Sequence, residues 1–351
     1  MLILGIDTSC DDTSAAVVED GRKIVSNIVS NQSEIHTKYG GIVPELASRR
    51  HIEMILPVVE EALRQAAVTL ADLSAIAVCH GPGLIGSLLV GCSFAKAVCY
   101  SRDIPLVAVN HLEGHLLSPF LEAHAPDFPF IALIVSGGHT SLYVAEDYGN
   151  YTMLGRTRDD AAGEAYDKVS KLLGLGYPGG PLIDRLAQEG NPKAISFPRA
   201  YLPETYDFSF SGLKTAVLNY VKSESKNKEQ GATRREPIAS GIEPGTLTIE
   251  RLRDIAASFQ AAVTDVLVRK TKWAMHKEKI GRVTLSGGVS ANSVLREKMT
   301  KMGEELQAEV FIPPVSLCTD NAAMIAAAGF HRFLKKEFAG PDLNPKAYLS
   351  L

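Results

Sequence analysis

Cysteine is scarce and poorly spaced for cross-linking. The chain has five (Cys10, Cys79, Cys92, Cys99 and Cys318), an odd number with no C-x-x-C pair. That excludes a disulfide framework and a zinc knuckle, and it points to a reducing cytoplasm. No long apolar run is present either. The longest, residues 84–100, is broken by Lys96 and falls short of the roughly 20 residues a membrane-spanning helix needs; a buried core helix is expected there. The opening Met1-Leu2-Ile3-Leu4-Gly5-Ile6-Asp7 carries no basic leader, unlike a secretory signal. An excess of positive charge is also missing: 36 Lys plus Arg against 40 Asp plus Glu give a formal net charge of −4. Strong unaided binding to nucleic acid is not expected from that balance. G-x-x-x-x-G-K-[ST] does not occur, which excludes a P-loop, and no G-x-G-x-x-G supports a dinucleotide fold.

What is present is an ordinary globular composition, 46% apolar and 22% charged over 351 residues. That length suits two domains of roughly 100–200 residues each. Strands are predicted over 2–6, 14–19 and 23–30, with Asp20-Gly21 as a turn. After Gly40-Gly41, Pro44 opens a helix whose Leu46, Ile52, Ile55, Leu56, Val59 and Leu63 recur mostly at three- and four-residue spacing. A buried strand over 75–79 leads through His80-Gly81-Pro82-Gly83 into a helix from about residue 84. A strand over 106–109 then runs into a helix near His111. The pattern restarts with strands over 130–135, 140–145 and 151–154 and helices over about 160–173 and 181–188. Helical spacing returns over 248–277, followed by a strand over 280–285 and a helix from about Asn292. Alternating strands and helices indicate an α/β fold with a largely parallel sheet, mixed by the opening hairpin. That hairpin layout occurs near residue 1 and again near residue 130, a weak internal repeat. Residues 223–245 are polar and Gly/Pro-punctuated, which predicts a flexible insertion.

Three features bear on chemistry. Ser136-Gly137-Gly138-His139 and Ser286-Gly287-Gly288 each follow a buried strand, and Gly179-Gly180 follows Tyr177-Pro178. Such turns let backbone N–H groups approach a phosphate or ribose. One alone is ordinary turn chemistry, whereas three in an α/β protein suggest a nucleotide cleft. In His111-Leu112-Glu113-Gly114-His115, a helix would place the imidazoles one turn apart, about 5 to 6 Å between Cβ atoms. That spacing suits a divalent cation, though a pair of structural histidines has the same spacing. Glu113 is turned about 100° from where the base of H-E-x-x-H stands, which argues against a metalloprotease. Two histidines leave a metal under-coordinated, so a third ligand must come from elsewhere. The segment Asp7-Thr8-Ser9-Cys10-Asp11-Asp12-Thr13-Ser14 is either self-capping turn chemistry or a place for a cation or a proton acceptor. Asp320 is expected to open the last helix, where an acid is favoured.

These motifs, with Asp160-Ala161-Ala162-Gly163-Glu164-Ala165-Tyr166-Asp167-Lys168, Tyr177-Pro178-Gly179-Gly180-Pro181 and Ser286-Gly287-Gly288-Val289 followed by Ala291-Asn292, resemble one family from residue 1 to about 336. It is the bacterial tRNA N6-adenosine threonylcarbamoyltransferases, the TsaD family, formerly called O-sialoglycoprotein endopeptidases. The insertion over 223–245 is longer than the family pattern leads one to expect. The resemblance implies the actin/Hsp70/sugar-kinase (ASKHA) fold, with two related lobes around a nucleotide cleft. One lobe would span 1–110, with the C-terminal helix from about 325 packing back on it, and the other 111–324.

The resemblance further implies a cation held by His111, His115 and Asp320, with Fe2+ expected and Zn2+ as the other choice. Adenylate contacts would come from Ile134, Val135, Ser136, Gly137, Gly138, His139, Asp167, Gly180, Asp184 and Asn292, and Asp11 would be the catalytic acid/base. The implied activity is transfer of threonylcarbamoyl from threonylcarbamoyl-AMP to N6 of the adenosine beside the tRNA anticodon, giving t6A. The implied partners are a TsaB-like paralogue and a TsaE-like ATPase, with a separate enzyme making the adenylate. An ATP-dependent phosphotransferase or ATPase on the same fold is the competing reading. A non-catalytic scaffold displaying the helix over 44–67 is a third.

Overall fold

The computed structural model describes residues 1–229 and 247–351. Strand β1 (Leu2–Asp7) pairs antiparallel with β2 (Asp12–Glu19), and β2 with β3 (Lys23–Asn31). The short α1 (Ser33–Thr37) and the 23-residue α2 (Pro44–Ala66) follow. Next come β4 (Ala75–Gly81), α3 (Ile85–Arg102), β5 (Leu106–Asn110) and α4 (His111–Leu117). Strands β4 and β5 extend the sheet in parallel, giving the order β3-β2-β1-β4-β5.

The second half repeats this plan. Strands β6 (Phe130–Val135), β7 (Thr140–Asp147) and β8 (Asn150–Arg156) form an antiparallel meander. Helices α5 (Ala162–Leu172), α6 (Gly179–Ala187), α7 (Ser211–Glu229) and the 30-residue α8 (Ile249–Glu278) come next. They lead to β9 (Arg282–Ser286), α9 (Ser293–Leu306), β10 (Glu309–Phe311), α10 (Val315–Cys318) and α11 (Ala322–Leu334). With β9 and β10 parallel to β6, the order β10-β9-β6-β7-β8 is that of the first sheet. The doubled hairpin in the sequence is therefore a doubled sheet.

Both sheets are buried where they carry continuous apolar runs. All six residues of β6 are fully buried, as are Ile3, Leu4 and Ile6 of β1. Helix α11 is alanine-rich because it lies close on the first sheet: a Cβ placed on Gly5 would fall 2.1 Å from the Ala322 carbonyl oxygen. Two expectations need correction. The flexible insertion predicted over 223–245 begins inside α7, which runs to Glu229; the rest of it lies outside the described residues. Asp320 does not open the last helix: Asn321 is the N-cap, its side-chain oxygen accepting from the Met324 N–H at 3.2 Å. Among the described residues no helix is long and apolar enough to cross a membrane.

Candidate metal and nucleotide site

Strands β1, β4 and β5 are adjacent and parallel. Their carboxyl ends therefore present Asp7, Cys79-His80 and Asn110-His111 along one edge, where open α/β sheets bind ligands. The Asn110 side chain caps α4 by accepting from the Leu112 N–H at 2.8 Å, which starts the helical turn at His111. His111 and His115 then meet edge to face one turn apart, both buried, with ring centroids 4.7 Å apart and planes at 81°. Because Asn321 does the capping, the Asp320 carboxylate is left to turn inward. Its Oδ1 lies 3.1 Å from His115 Nε2 and 3.5 Å from His111 Nε2.

The three ligand atoms lie within 4.8 Å of one another. Two imidazole nitrogens aimed at one carboxylate oxygen form a 2-His-1-carboxylate donor set, which suits a divalent transition metal. The electrostatics agree. Burial opposes charge on His111, but Asp320 and Asp7 outweigh it and raise its pKa to about 9. Burial lowers that of His115. Although burial acts in the opposite sense, the two histidines hold the Asp320 carboxyl below the usual carboxylate range. Glu113 points elsewhere: its carboxylate is 2.7 Å from Arg332 Nε and accepts from the Tyr151 hydroxyl at 3.2 Å.

The acidic turn between β1 and β2 is tied down from several sides. Thr8 donates to the Ser87 carbonyl at 2.8 Å, and the Ser9 N–H donates to Asp7 Oδ1 at 2.8 Å. His51, on α2, bridges the turn at 3.0 Å from the Cys10 carbonyl oxygen and 2.8 Å from the Thr13 hydroxyl. A carbonyl can only accept, so His51 Nε2 carries the proton and Nδ1 accepts from Thr13. Burial, then the charge of Asp320, raise the pKa of Asp11. Burial, then Asp11 and Asp320, push Asp12 up to about 8. Carboxyl groups thus crowd together beside the histidine pair, and burial with mutual repulsion favours their protonated forms.

The second sheet supplies the equivalent turn, Ser136 to His139 between β6 and β7. It closes through Ser136 N–H to the His139 carbonyl at 2.7 Å and His139 N–H to the Ser136 hydroxyl at 3.1 Å. Nothing lies within 4 Å of where a Cβ on Gly137, Gly138 or Gly180 would stand, so all three have open space beside them. Burial, then the charges of His111 and His115, lower the pKa of His139 to about 4, so this turn feels the field of the pair. Ile134 and Val135 differ: their side chains are fully buried in the core, leaving only main chain to meet a ligand. Gly287 is required where it stands, since its φ is +88° and a Cβ would meet the Val135 carbonyl oxygen at 2.5 Å.

Asp184 and Asn292 belong to one network. Asn292 Nδ2 donates to Gln260 Oε1 at 2.8 Å and to Asp184 Oδ1 at 3.1 Å. Gln260 Nε2 donates to Asp184 Oδ1 at 3.0 Å and the Ser293 hydroxyl donates to it at 2.8 Å. Asp167 accepts from the Gly179 N–H at 2.7 Å, and burial raises it to about 6. Asp7, Gln260 and Ser293 were not singled out from the sequence. Gln260 had a signal, a lone amide in the otherwise apolar Ala256–Val263 stretch of α8 with Ser258, but Asp7 looked like one acid among several in its turn. A cavity of about 330 Å³ lined by Tyr201, Leu202, Pro203, Glu204, Arg269, Lys270 and Trp273 contains none of these residues.

Two equivalent sheets, each bringing a hairpin turn to a shared cleft, define an actin/Hsp70/sugar-kinase-like protein. Solved structures agree at the level of fold: component A of the (R)-2-hydroxyglutaryl-CoA dehydratase of Acidaminococcus fermentans superposes with TM-score 0.51 at 14% identity, covering 95% of this chain and 98% of that one. Full-length HypF gives 0.57 at 14% identity, covering 95% of this chain and 46% of that one. The family model described as TsaD, tRNA N6-adenosine threonylcarbamoyltransferase, matches residues 23–327. A protein of that name from Thermodesulfovibrio yellowstonii is 56% identical over 351 residues, all of both chains. One from Syntrophotalea carbinolica is 53% identical over 330 residues, 94% of this chain and 91% of that one. The chain belongs to the tRNA N6-adenosine threonylcarbamoyltransferase family and is a transferase.

Proposed function

We propose that this chain transfers the threonylcarbamoyl group of threonylcarbamoyl-AMP to N6 of the adenosine 3′-adjacent to the anticodon, in tRNAs reading codons that begin with A. The observation that carries this reading is the convergence of His111, His115 and Asp320 on one point, within electrostatic reach of the open Ser136–His139 turn. The chain is read as two lobes, 1–110 with the helix from about 325, and 111–324, with the adenylate between them. A simple ATPase or phosphotransferase has no use for the histidine pair, and the family assignment does not favour that alternative.

The donor is a mixed anhydride, and the acceptor amine is a weak nucleophile because its lone pair is delocalised into the purine. His111, His115 and Asp320 would hold one divalent ion, Fe2+ by preference and Zn2+ as the competitor. When bound, such an ion supplies Lewis-acid polarisation of the acyl or phosphate oxygens. The backbone of Ser136, Gly137, Gly138 and His139, with Ile134 and Val135 behind them, receives the adenylate. Asp167, Gly180, Asp184 and Asn292 complete its cradle. The Asp184–Asn292–Gln260 network is bonded in advance, so binding costs little reordering. As N6 bonds to the carbonyl carbon, the carbonyl–oxygen bond to the phosphate breaks and AMP leaves, while Asp11 accepts the proton that N6 loses; its raised pKa makes it a stronger base than an ordinary aspartate.

Ile52 and Leu56 of α2 and Ile85 and Leu89 of α3 are between 52% and 66% exposed. The helices meet closely here, since a Cβ on Gly86 would lie 2.5 Å from the Ser48 hydroxyl. An apolar surface of this kind suits a TsaB-like paralogue, with a TsaE-like ATPase as the further partner. The test is transfer from synthetic threonylcarbamoyl-AMP to unmodified tRNA, with and without those partners. His111→Ala and Asp320→Ala should abolish it while circular dichroism is unchanged. Undiminished transfer by either variant overturns the reading.

A further inference from the structure

We infer that Asp7 is the positioning residue for His111, accepting the proton on Nδ1 and so leaving Nε2 bare toward Asp320. The inference rests on the cation proposed at His111, His115 and Asp320 and adds the group that orients it. Asp7 Oδ2 is 3.3 Å from His111 Nδ1, with the side chains 1% and 6% exposed. Neither atom has a hydrogen-bond partner among the described residues, so two buried, unsatisfied polar atoms stand at ion-pair distance from each other. The second carboxylate oxygen is already committed to the Ser9 N–H at 2.8 Å. The contact follows from sheet order, because Asp7 ends β1 while His111 follows β5, and only β4 lies between them.

A cation at this site needs one bare nitrogen on each imidazole, and an imidazole that keeps one proton can hold it on either nitrogen. With the proton on Nε2, it would stand where the cation must sit, and the Nδ1 lone pair would face a carboxylate oxygen. With the proton on Nδ1, it faces the Asp7 carboxylate 3.3 Å away and the Nε2 lone pair faces Asp320. The geometry favours the second tautomer. A carboxylate behind a ligating histidine also raises the basicity of the ligand and fixes the ring plane.

The same atoms allow a rival reading, since Asp7, Cys79 and His111 offer donor atoms within 4.8 Å of one another and could hold a second ion. Cys79 is fully buried on β4, and both nitrogens of one ring would have to ligate. Two sites and one therefore predict different stoichiometry and spectra.

The experiment uses the full chain with Co2+ as the probe, its affinity set by competition with a chromophoric chelator and its environment read from the absorption spectrum. The wild type should bind one equivalent without a thiolate charge-transfer band, and Cys79→Ala should match it. Asp7→Asn should bind about 10- to 100-fold more weakly, because an amide can donate to Nδ1 and favour the wrong tautomer; thermal unfolding of the ion-free variant checks that it folds. Wild-type affinity in Asp7→Asn overturns the Asp7 role alone. A second equivalent or a thiolate band that Cys79→Ala removes overturns it in favour of the second site. No binding by the wild type overturns the cation reading as well. Should Asp7→Asn fail to fold, 15N spectra of the Zn2+-loaded wild type, assigned with His111→Asn, decide the matter. A proton on His111 Nδ1 is expected, and one on Nε2 overturns the proposal.

Discussion

Arg332 Nε lies 2.7 Å from Glu113 Oε2 and so joins α4, which carries both histidines, to α11, which follows Asp320. Glu113 is only 2% exposed, so the pair fixes the two elements that must meet at the site. Arg332→Met removes the guanidinium and leaves a buried carboxylate unpaired, which costs about 3–5 kcal/mol. Chemical denaturation should show that loss. The double variant Glu113→Gln/Arg332→Met should recover much of it, because the uncompensated charge is gone.

Asp12 makes the acidic turn sensitive to pH. Burial, then Asp11 and Asp320, raise its pKa from 3.8 to about 8. Across that window the folded chain holds a proton that the unfolded chain has released, so rising pH favours unfolding. Asp12→Asn removes this titration while its amide oxygen can still accept from Asn31, now at 2.7 Å from the carboxylate. The urea midpoint of the variant, relative to wild type, should therefore rise between pH 4 and pH 8. A constant difference would count against the raised value.

Much of this arrangement was legible in the sequence, and the parts that were not share a cause. Strand-then-glycine and the i, i+4 histidines are local patterns, and they found β6 with its turn and α4 with its pair. The doubled hairpin was readable because β1–β2 and β6–β7 are each contiguous. The role of Asp320 rested on family resemblance, since 205 residues separate it from His115; locally it looked like a helix-opening acid, and only the structure shows Asn321 capping instead. Asp7 and Gln260 were missed because their partners, His111 and Asn292, are brought near by sheet order and by helix packing. Helix α7 was missed although Leu213, Val217 and Val221 recur every four residues and are buried; the lysine-, serine- and asparagine-rich second half of its 19 residues masked that stripe.

Gln260 should matter to substrate affinity more than to fold. Its amide joins Asn292 and Asp184, accepting at 2.8 Å and donating at 3.0 Å. Gln260→Leu keeps the helix and most of the volume but leaves the Asn292 amide and the Asp184 carboxylate each short of a partner, at about 1–3 kcal/mol for the lost satisfaction. The expected result is a KM for threonylcarbamoyl-AMP raised about 5- to 150-fold, with Co2+ affinity unchanged because the histidine site lies on other elements. Loss of Co2+ binding along with KM would show that the network supports the whole cleft.

The exposed apolar face of α2 and α3 gives a prediction that separates association from chemistry. Leu56 is 52% exposed and Ile52 is 66% exposed, so a charge at either position meets water in the isolated chain and costs little there. In a complex that covers this face, the same charge is buried without a partner and is strongly unfavourable. Leu56→Asp should therefore leave thermal unfolding and Co2+ affinity of the isolated chain as in wild type. It should weaken binding to a TsaB-like partner by at least about tenfold in calorimetry, a difference of roughly 1.4 kcal/mol. Unchanged affinity for that partner would move the interface to another face of the molecule and leave the exposed leucines and isoleucines without that explanation.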